Sequence, residues 1–275
     1  MDTVVQAIVL GVVQGLTEFL PISSSGHLVV LPALLGWDDA FLESLAFSVM
    51  LHLGTLGALL AYFRADWLRL VPAGLAVLRD RSFAGDPDRR LAWLIAATVV
   101  PAVVAGLLLG DWIEATVRQP GTVAMMLVVG AAILWLADRL GSKRLGLADL
   151  RLPGALVIGV AQAVALVPGV SRSGISISAG LAVGLDRPSA ARFSFLMATP
   201  IIALAGAYET VGLLRDGTAA AIDPAALGAG MLAAFLSGLA AIHLLLRWVA
   251  GHSLTPFVVY RLVLAAVILA WFLAP

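Results

Sequence analysis

The sequence predicts an all-α integral membrane protein: six full transmembrane helices plus two re-entrant helix pairs in an inverted-topology repeat. Three observations predict it. The 275 residues are 61% hydrophobic and only 12% charged, with a mean hydropathy of +1.02, whereas a soluble chain carries about 25% charged residues. Six stretches are apolar over the roughly 20 residues that a helix needs to cross a bilayer. Two further apolar regions are each interrupted by Pro, Ser and Gly, and the two interruptions align with one another.

The first region, residues 3–20, carries Gln14, Thr17 and Glu18 and stops at Pro21 and the run Ser23-Ser24-Ser25-Gly26; the apolar piece 27–36 that follows is half a span. Together they read as a helix pair that enters the bilayer, breaks and returns, because irregular backbone at depth is tolerable only when buried in protein or lining a wet cavity. Full spans follow at about 41–63, 91–110 and 122–141. Between the first two, residues 67–79 are too short to span and lie among arginines, as in an interfacial amphipathic helix. A second broken region runs 153–167, Pro168-Gly169-Val170-Ser171-Arg172-Ser173-Gly174, then a short apolar piece to Leu185. Spans at about 191–214, 225–248 and 256–274 complete the chain. Met1-Asp2 lacks the basic start of a cleavable signal, so the first segment is expected to remain in the mature protein.

Gln14 to Gly26 and Gln162 to Gly174 cover the same twelve-residue interval at an offset of 148, with Ser23, Ser24 and Ser25 facing Ser171, Arg172 and Ser173. The chain is thus expected to be a single membrane domain, 1–275, with repeat 1 at about 1–141 and repeat 2 at about 150–275. Three spans per half is an odd number, so the second half is inverted, an arrangement in which broken helices mark the binding site. Loop charge tests this count. The loops that fall on one side (64–90, 138–152, 185–192 and 247–255) hold thirteen of the seventeen Lys and Arg, against two on the other side. The positive-inside rule makes the basic side cytoplasmic, so both termini face outward.

Polar residues inside a bilayer cost several kcal/mol unless paired or wet. Gln14 and Glu18, four apart, share one helix face. Glu18 either terminates its helix or serves as proton acceptor, metal ligand or orienter of an imidazole. Ser23, Ser24, Ser25 and Gly26 supply more hydroxyls than one N-cap needs, at a helix N-terminus suited to phosphate, and His27 beside them is a candidate acid or base. Arg172, flanked by Ser171, Ser173 and Gly174 with Ser176 nearby, either pairs with Glu18 or binds a phosphate bidentately. His52 reads as a hydrogen-bonded core residue whose replacement by Ala leaves activity intact. His243 and His252 read as interfacial, and Arg261 as snorkelling or paired. Zero net charge, 17 basic against 17 acidic residues, excludes a nucleic-acid surface; no cysteine means no thiolate metal site or disulfide.

At these residues the chain resembles the undecaprenyl-diphosphate phosphatase family, the bacterial bacitracin-resistance type of membrane phosphatase. The resemblance lies in Gln14-Gly15-Leu16-Thr17-Glu18-Phe19-Leu20-Pro21-Ile22-Ser23-Ser24-Ser25-Gly26-His27 and Pro168-Gly169-Val170-Ser171-Arg172-Ser173-Gly174, with support from His52-Leu53-Gly54-Thr55, Arg192-Phe193-Ser194-Phe195-Leu196 and Thr255-Pro256-Phe257-Val258-Val259-Tyr260-Arg261. It implies release of the terminal phosphate from undecaprenyl diphosphate, a polyprenyl diphosphate lipid, which regenerates the monophosphate carrier of cell-wall synthesis in the bacterial inner membrane. By that resemblance Gln14 and Glu18 fill the paired acidic-or-amide motif, Ser24 is the nucleophile, His27 its acid/base partner, Arg172 the diphosphate-binding arginine, and Mg²⁺ or Ca²⁺ assists, with Glu18 as its ligand. Many family members have Glu where this chain has Gln14, and an amide cannot act as a base. The competing expectation is a secondary transporter or lipid-carrier translocase of the same architecture, in which Glu18 and Arg172 bind substrate or proton and no bond is broken.

Overall fold

The computed structural model describes residues 2–37, 39, 42, 44–117, 119–215 and 223–272. Parts of four expected features lie outside the described residues: positions 41 and 43 of the span 41–63, Arg118 of loop 110–121, positions 216–222 of loop 209–224, and the last positions of the final span. The described chain is helical: α1 (Thr3–Phe19), α2 (Ser24–Leu35), α3 (Leu45–Tyr62), α4 (Arg64–Asp80), α5 (Pro87–Val117), α6 (Pro120–Leu140), α7 (Leu152–Val164), α8 (Arg172–Ala182), α9 (Arg187–Arg215), α10 (Pro224–Val249) and α11 (Thr255–Phe272), with one 3₁₀ turn at Leu147–Asp149. Five helices are long and apolar enough to cross a membrane: α5 over Pro87–Gly110, α6, α9, α10 and α11. Counting the bent pair α3–α4 as one span makes six.

Polarity is distributed inside out. Large apolar side chains such as Leu107, Leu108, Leu140, Leu232 and Val263 point outward, while Gln14, Glu18, Ser173, Ser176, Ser178 and Arg261 are buried. An exterior this apolar belongs in lipid.

Small residues set the closest packing. On α1, a Cβ at Gly11 would overlap the Gly230 carbonyl, and one at Gly15 would overlap Ser237 and the Ala234 carbonyl of α10. Ala7, Gly11 and Gly15 on the buried face of α1 therefore lie against α10 at backbone distance, the small-residue device of helix pairs in lipid. Elsewhere α7 packs along α5, where Gly159 meets the backbone of Thr98.

The α3–α4 pair turns through 86° at Phe63. On α4, Leu70, Ala73 and Val77 face the protein, whereas Leu68, Val71, Leu75 and Leu78 form an exposed apolar stripe. A helix buried on one side and greasy on the other suits the membrane interface. The basic loops meet one another. Arg192 donates to both Asp66 oxygens at 2.7 Å, Arg90 bonds the Ala148 and Leu150 carbonyls, and Arg187 and the Leu254 amide share Asp138, at 2.5 and 2.9 Å. The four loops that carry most of the cations thus form one connected face.

Two breaks place the site. Leu20, forced out of the helical region by Pro21, ends α1 with φ −66° and ψ 140°. Ser23 then caps α2 at φ 76°, its hydroxyl accepting from the Gly26 amide at 3.4 Å. Between α7 and α8, Ser171 caps at φ 72°, accepting from the Gly174 amide at 3.1 Å. Both hydroxyls lie 3.3 Å from the serine two places on, Ser25 and Ser173. Positive φ at a non-glycine costs about 1–3 kcal/mol and concentrates at functional sites.

Candidate active site

The two breaks meet. Ser173 Oγ donates to the Leu20 carbonyl at 3.1 Å, which joins the first turn of α8 to the end of α1. The N-termini of α2 and α8 converge here, and helix N-termini favour anions. Glu18, the last polar residue of α1 and only 4% exposed, is the anion the fold supplies.

Every oxygen of that carboxylate is engaged. Oε1 accepts from Arg172 Nη2. Oε2 accepts from Ser24 Oγ at 2.5 Å and from Gln14 Nε2 at 3.1 Å, and lies 3.4 Å from His52 Nε2. Four helices contribute: α1 presents Gln14 and Glu18 one turn apart, α2 and α8 place Ser24 and Arg172 as their first residues, and α3 contributes His52. Of the residues in this cluster, Gln14 Oε1 and Arg172 Nη1 are buried without a partner among the described residues. An unpaired guanidinium nitrogen and an unpaired carbonyl beside a carboxylate are groups that a polar ligand would satisfy.

Glu18, Ser24, Arg172 and Gln14 are therefore assembled, with Ser23, Ser25, Ser171, Ser173, Gly26 and Gly174 forming the two capped turns around them. Other expected placements differ. His27 Nδ1 donates to the Ser23 carbonyl and its Nε2 accepts from Tyr260 Oη, both at 2.7 Å, with the rings stacked 5.6 Å apart. The imidazole thus faces α11 and not the Ser24 hydroxyl. Ser176, expected to join the site, bonds the Arg172 carbonyl at 2.7 Å and Ser194 Oγ at 2.6 Å on α9. It braces α8 instead of facing the cluster.

His52 corrects the reading of that residue as core. A carbonyl only accepts, so its Nδ1, 2.7 Å from the Ser48 oxygen, carries a proton. That leaves Nε2 facing Glu18 Oε2 at 3.4 Å. The signal in the sequence was a histidine in mid-span with Ser48 one turn earlier, but only the crossing of α3 over α1 gives it a partner. Arg261 is not snorkelling, and it is paired with no acid among the described residues. It is 0% exposed and bonds the main-chain carbonyls of Leu127, Gly169 and Val170 at 3.2, 2.9 and 2.8 Å.

Among the described residues no group of three or more His, Asp and Glu side chains could hold a metal ion. With both oxygens engaged and a guanidinium against one of them, Glu18 does not fit the expected role of metal ligand. The unpartnered acceptor is Gln14 Oε1, a single neutral oxygen. That fits a cation arriving on phosphate oxygens, as Mg²⁺ commonly does, and not one caged by protein.

Comparison with known proteins places the site in context. The family model described as bacitracin resistance protein BacA matches residues 7–267. A protein of Gemmatimonas aurantiaca named undecaprenyl-diphosphatase is 47% identical over 268 residues, covering 98% of this chain and 97% of that one. An Idiomarina loihiensis protein of the same name is 42% identical over 263 residues, 96% of this chain and 97% of its own. One of Stutzerimonas stutzeri, named undecaprenyl-diphosphatase 2, is 43% identical over 271 residues and 98% of each chain.

Proposed function

The chain belongs to the bacitracin resistance protein BacA family, and on that premise we propose that it hydrolyses undecaprenyl diphosphate to undecaprenyl phosphate and inorganic phosphate. The observation that carries this reading is the Ser24 hydroxyl donating to Glu18 Oε2 while Arg172 holds Oε1. A nucleophile, its base and an anion-binding cation are in hydrogen-bond contact before any substrate arrives.

In the forward step Ser24 Oγ attacks the terminal phosphorus as its proton passes to Glu18 Oε2. The O–P bond forms and the bond from that phosphorus to the bridging oxygen breaks, releasing undecaprenyl phosphate. Water then displaces Ser24 from the phosphoserine: Glu18 gives the first proton back to the departing Ser24 Oγ, takes the proton of the attacking water, and releases it to the departing phosphate or to bulk water to become the base again. Arg172 Nη1, without a protein partner, bonds a phosphate oxygen, and stabilisation of those oxygens is the main contribution in phosphoryl transfer. His52 Nε2, 3.4 Å from the same Oε2 that accepts from Ser24, holds the Glu18 carboxyl and shares its proton. In the alternative water attacks directly and Ser24 only binds phosphate. A divalent cation, Mg²⁺ or Ca²⁺, supplies neutralisation of phosphate charge when bound, with Gln14 Oε1 as its contact on this chain.

The chain is one membrane domain of six crossings and two re-entrant pairs, repeat 1 at about 1–141 and repeat 2 at about 150–275. It lies in the bacterial inner membrane with both termini and the site facing outward. The matching caps at Ser23 and Ser171 support the repeat, as does the exchanged packing of α1 on α10 and α7 on α5. The connected basic face supports the orientation by charge. A carrier needs no nucleophile poised on a base, so the Ser24–Glu18 contact and the relatives' named activity favour hydrolysis over transport.

The deciding experiment is phosphate release from undecaprenyl diphosphate by the purified protein in detergent with Mg²⁺, beside Ser24→Ala. Release by the parent and loss in the variant are expected. A folded parent that releases none overturns the phosphatase reading.

A further inference from the structure

We infer that Arg261 is a positioning residue for the diphosphate site, holding the turn that presents Arg172 and keeping a buried positive charge that the substrate's phosphates balance. The inference rests on the phosphatase reading for its substrate and goes beyond it in the residue it assigns.

Arg261 lies on α11, far in sequence from both breaks. Its guanidinium reaches the carbonyls of Gly169 and Val170, the residues immediately before the Ser171 cap, and those of Met126 and Leu127 on α6. One fork therefore spans α11, α6 and the α7–α8 turn. Room for it is made by two glycines: a Cβ at Gly130 would overlap Nη2, and one at Gly174 would lie 2.8 Å from Nη1. Gly174 sits in the first turn of α8, two residues after Arg172. The preceding residue, Tyr260, bonds His27 in the first turn of α2. Consecutive side chains of α11 thus fasten both breaks.

A purely structural clamp for carbonyls does not require a formal charge, and this one is badly placed for stability alone. No carboxylate pairs with Arg261 among the described residues, its Nη1 has no hydrogen-bond partner, and it stands beside the N-terminal turn of α8, whose dipole disfavours a cation. The one carboxylate of the site, Glu18, is already paired with Arg172. Arg261 thus adds a second guanidinium beside the first turn of α8, where the one carboxylate of the site is already taken, and a polyanion would balance it.

The test compares the parent with Arg261→Met and Arg261→Lys, all purified in detergent, in melting temperature, kcat, KM and binding of inorganic pyrophosphate by calorimetry. Loss of one buried positive charge beside the first turn of α8 is expected to weaken pyrophosphate binding about 10- to 100-fold. The expected result is that weakening in Arg261→Met with kcat also reduced, and partial recovery of pyrophosphate affinity in Arg261→Lys. A Met variant that folds and binds pyrophosphate as the parent does overturns the inference. Should the Met variant not fold, the Lys variant decides: a folded Lys variant with the parent's kcat and KM overturns it, and a kcat reduced tenfold or more upholds it. A parent that binds pyrophosphate but hydrolyses nothing removes the phosphatase reading alone, and the binding comparison still decides this one.

Discussion

Ser23 and Ser171, 148 residues apart, hold the same positive-φ backbone and make the same bond to the glycine amide three residues on. Each hydroxyl offsets part of the strain of its own backbone. Glycine relieves the strain and loses the cap; alanine loses the cap and keeps the strain. Caps are worth about 1 kcal/mol, so Ser171→Ala is expected to lower stability by about 1 kcal/mol or more and Ser171→Gly by less. Thermal melting of the two variants checks the order, and a glycine variant less stable than the alanine one contradicts the cap-and-strain account.

Arg172→Ala removes the partner of a buried carboxylate. Turnover should vanish, and stability should fall by about 3–5 kcal/mol because Glu18 is left uncompensated. Adding Glu18→Gln should recover much of that stability and none of the activity. Melting curves and phosphate release on the single and double variants separate the two roles, and no recovery in the double variant would argue against the pair.

Ser24→Ala should abolish phosphate release while leaving binding of pyrophosphate within a few-fold of the parent. Acid-quenched, labelled substrate should leave phosphate on Ser24 in the parent. Retention of substantial turnover in the alanine variant would make water the attacking group.

His52→Ala should lower kcat by about 100-fold, the usual worth of a positioned acid or base, with His52→Gln intermediate. The same variant was expected from sequence to be silent. Steady-state kinetics decide between these outcomes.

A cysteine at Thr3 should react with a membrane-impermeant thiol reagent added outside intact cells, and one at Ser82 should not. The chain has no native cysteine to confuse the readout. The reverse pattern would invert the orientation.

Much of this was legible because the bilayer leaves few alternatives. Glu18 and Arg172 stood out as charges in apolar surroundings, and their contact follows from there being so few other partners at that depth. The breaks were legible from Pro21 and the serine runs, since local chemistry determines where a helix stops. What could not be read was direction across helices. His27 turns to Tyr260, Ser176 to Ser194 and His52 to Glu18 because of how α11, α9 and α3 cross, and no local pattern encodes a crossing. Arg261 was misjudged for the same reason: its partners are main-chain carbonyls, which are present at every position and mark none.

The seam between α1 and α10 has a mechanical consequence. With Gly11 and Gly15 seated on the backbone of Gly230, Ala234 and Gly238, α1 is keyed to its neighbour like a shaft in a slot. Turning it would drive other side chains into the α10 main chain, and sliding it by one residue would unseat both glycines together. Glu18 sits at the end of that shaft. The proposed base is thus held to its bearing by main-chain geometry, and the freedom needed to admit and discharge a long lipid must reside in the helices that α1 does not grip.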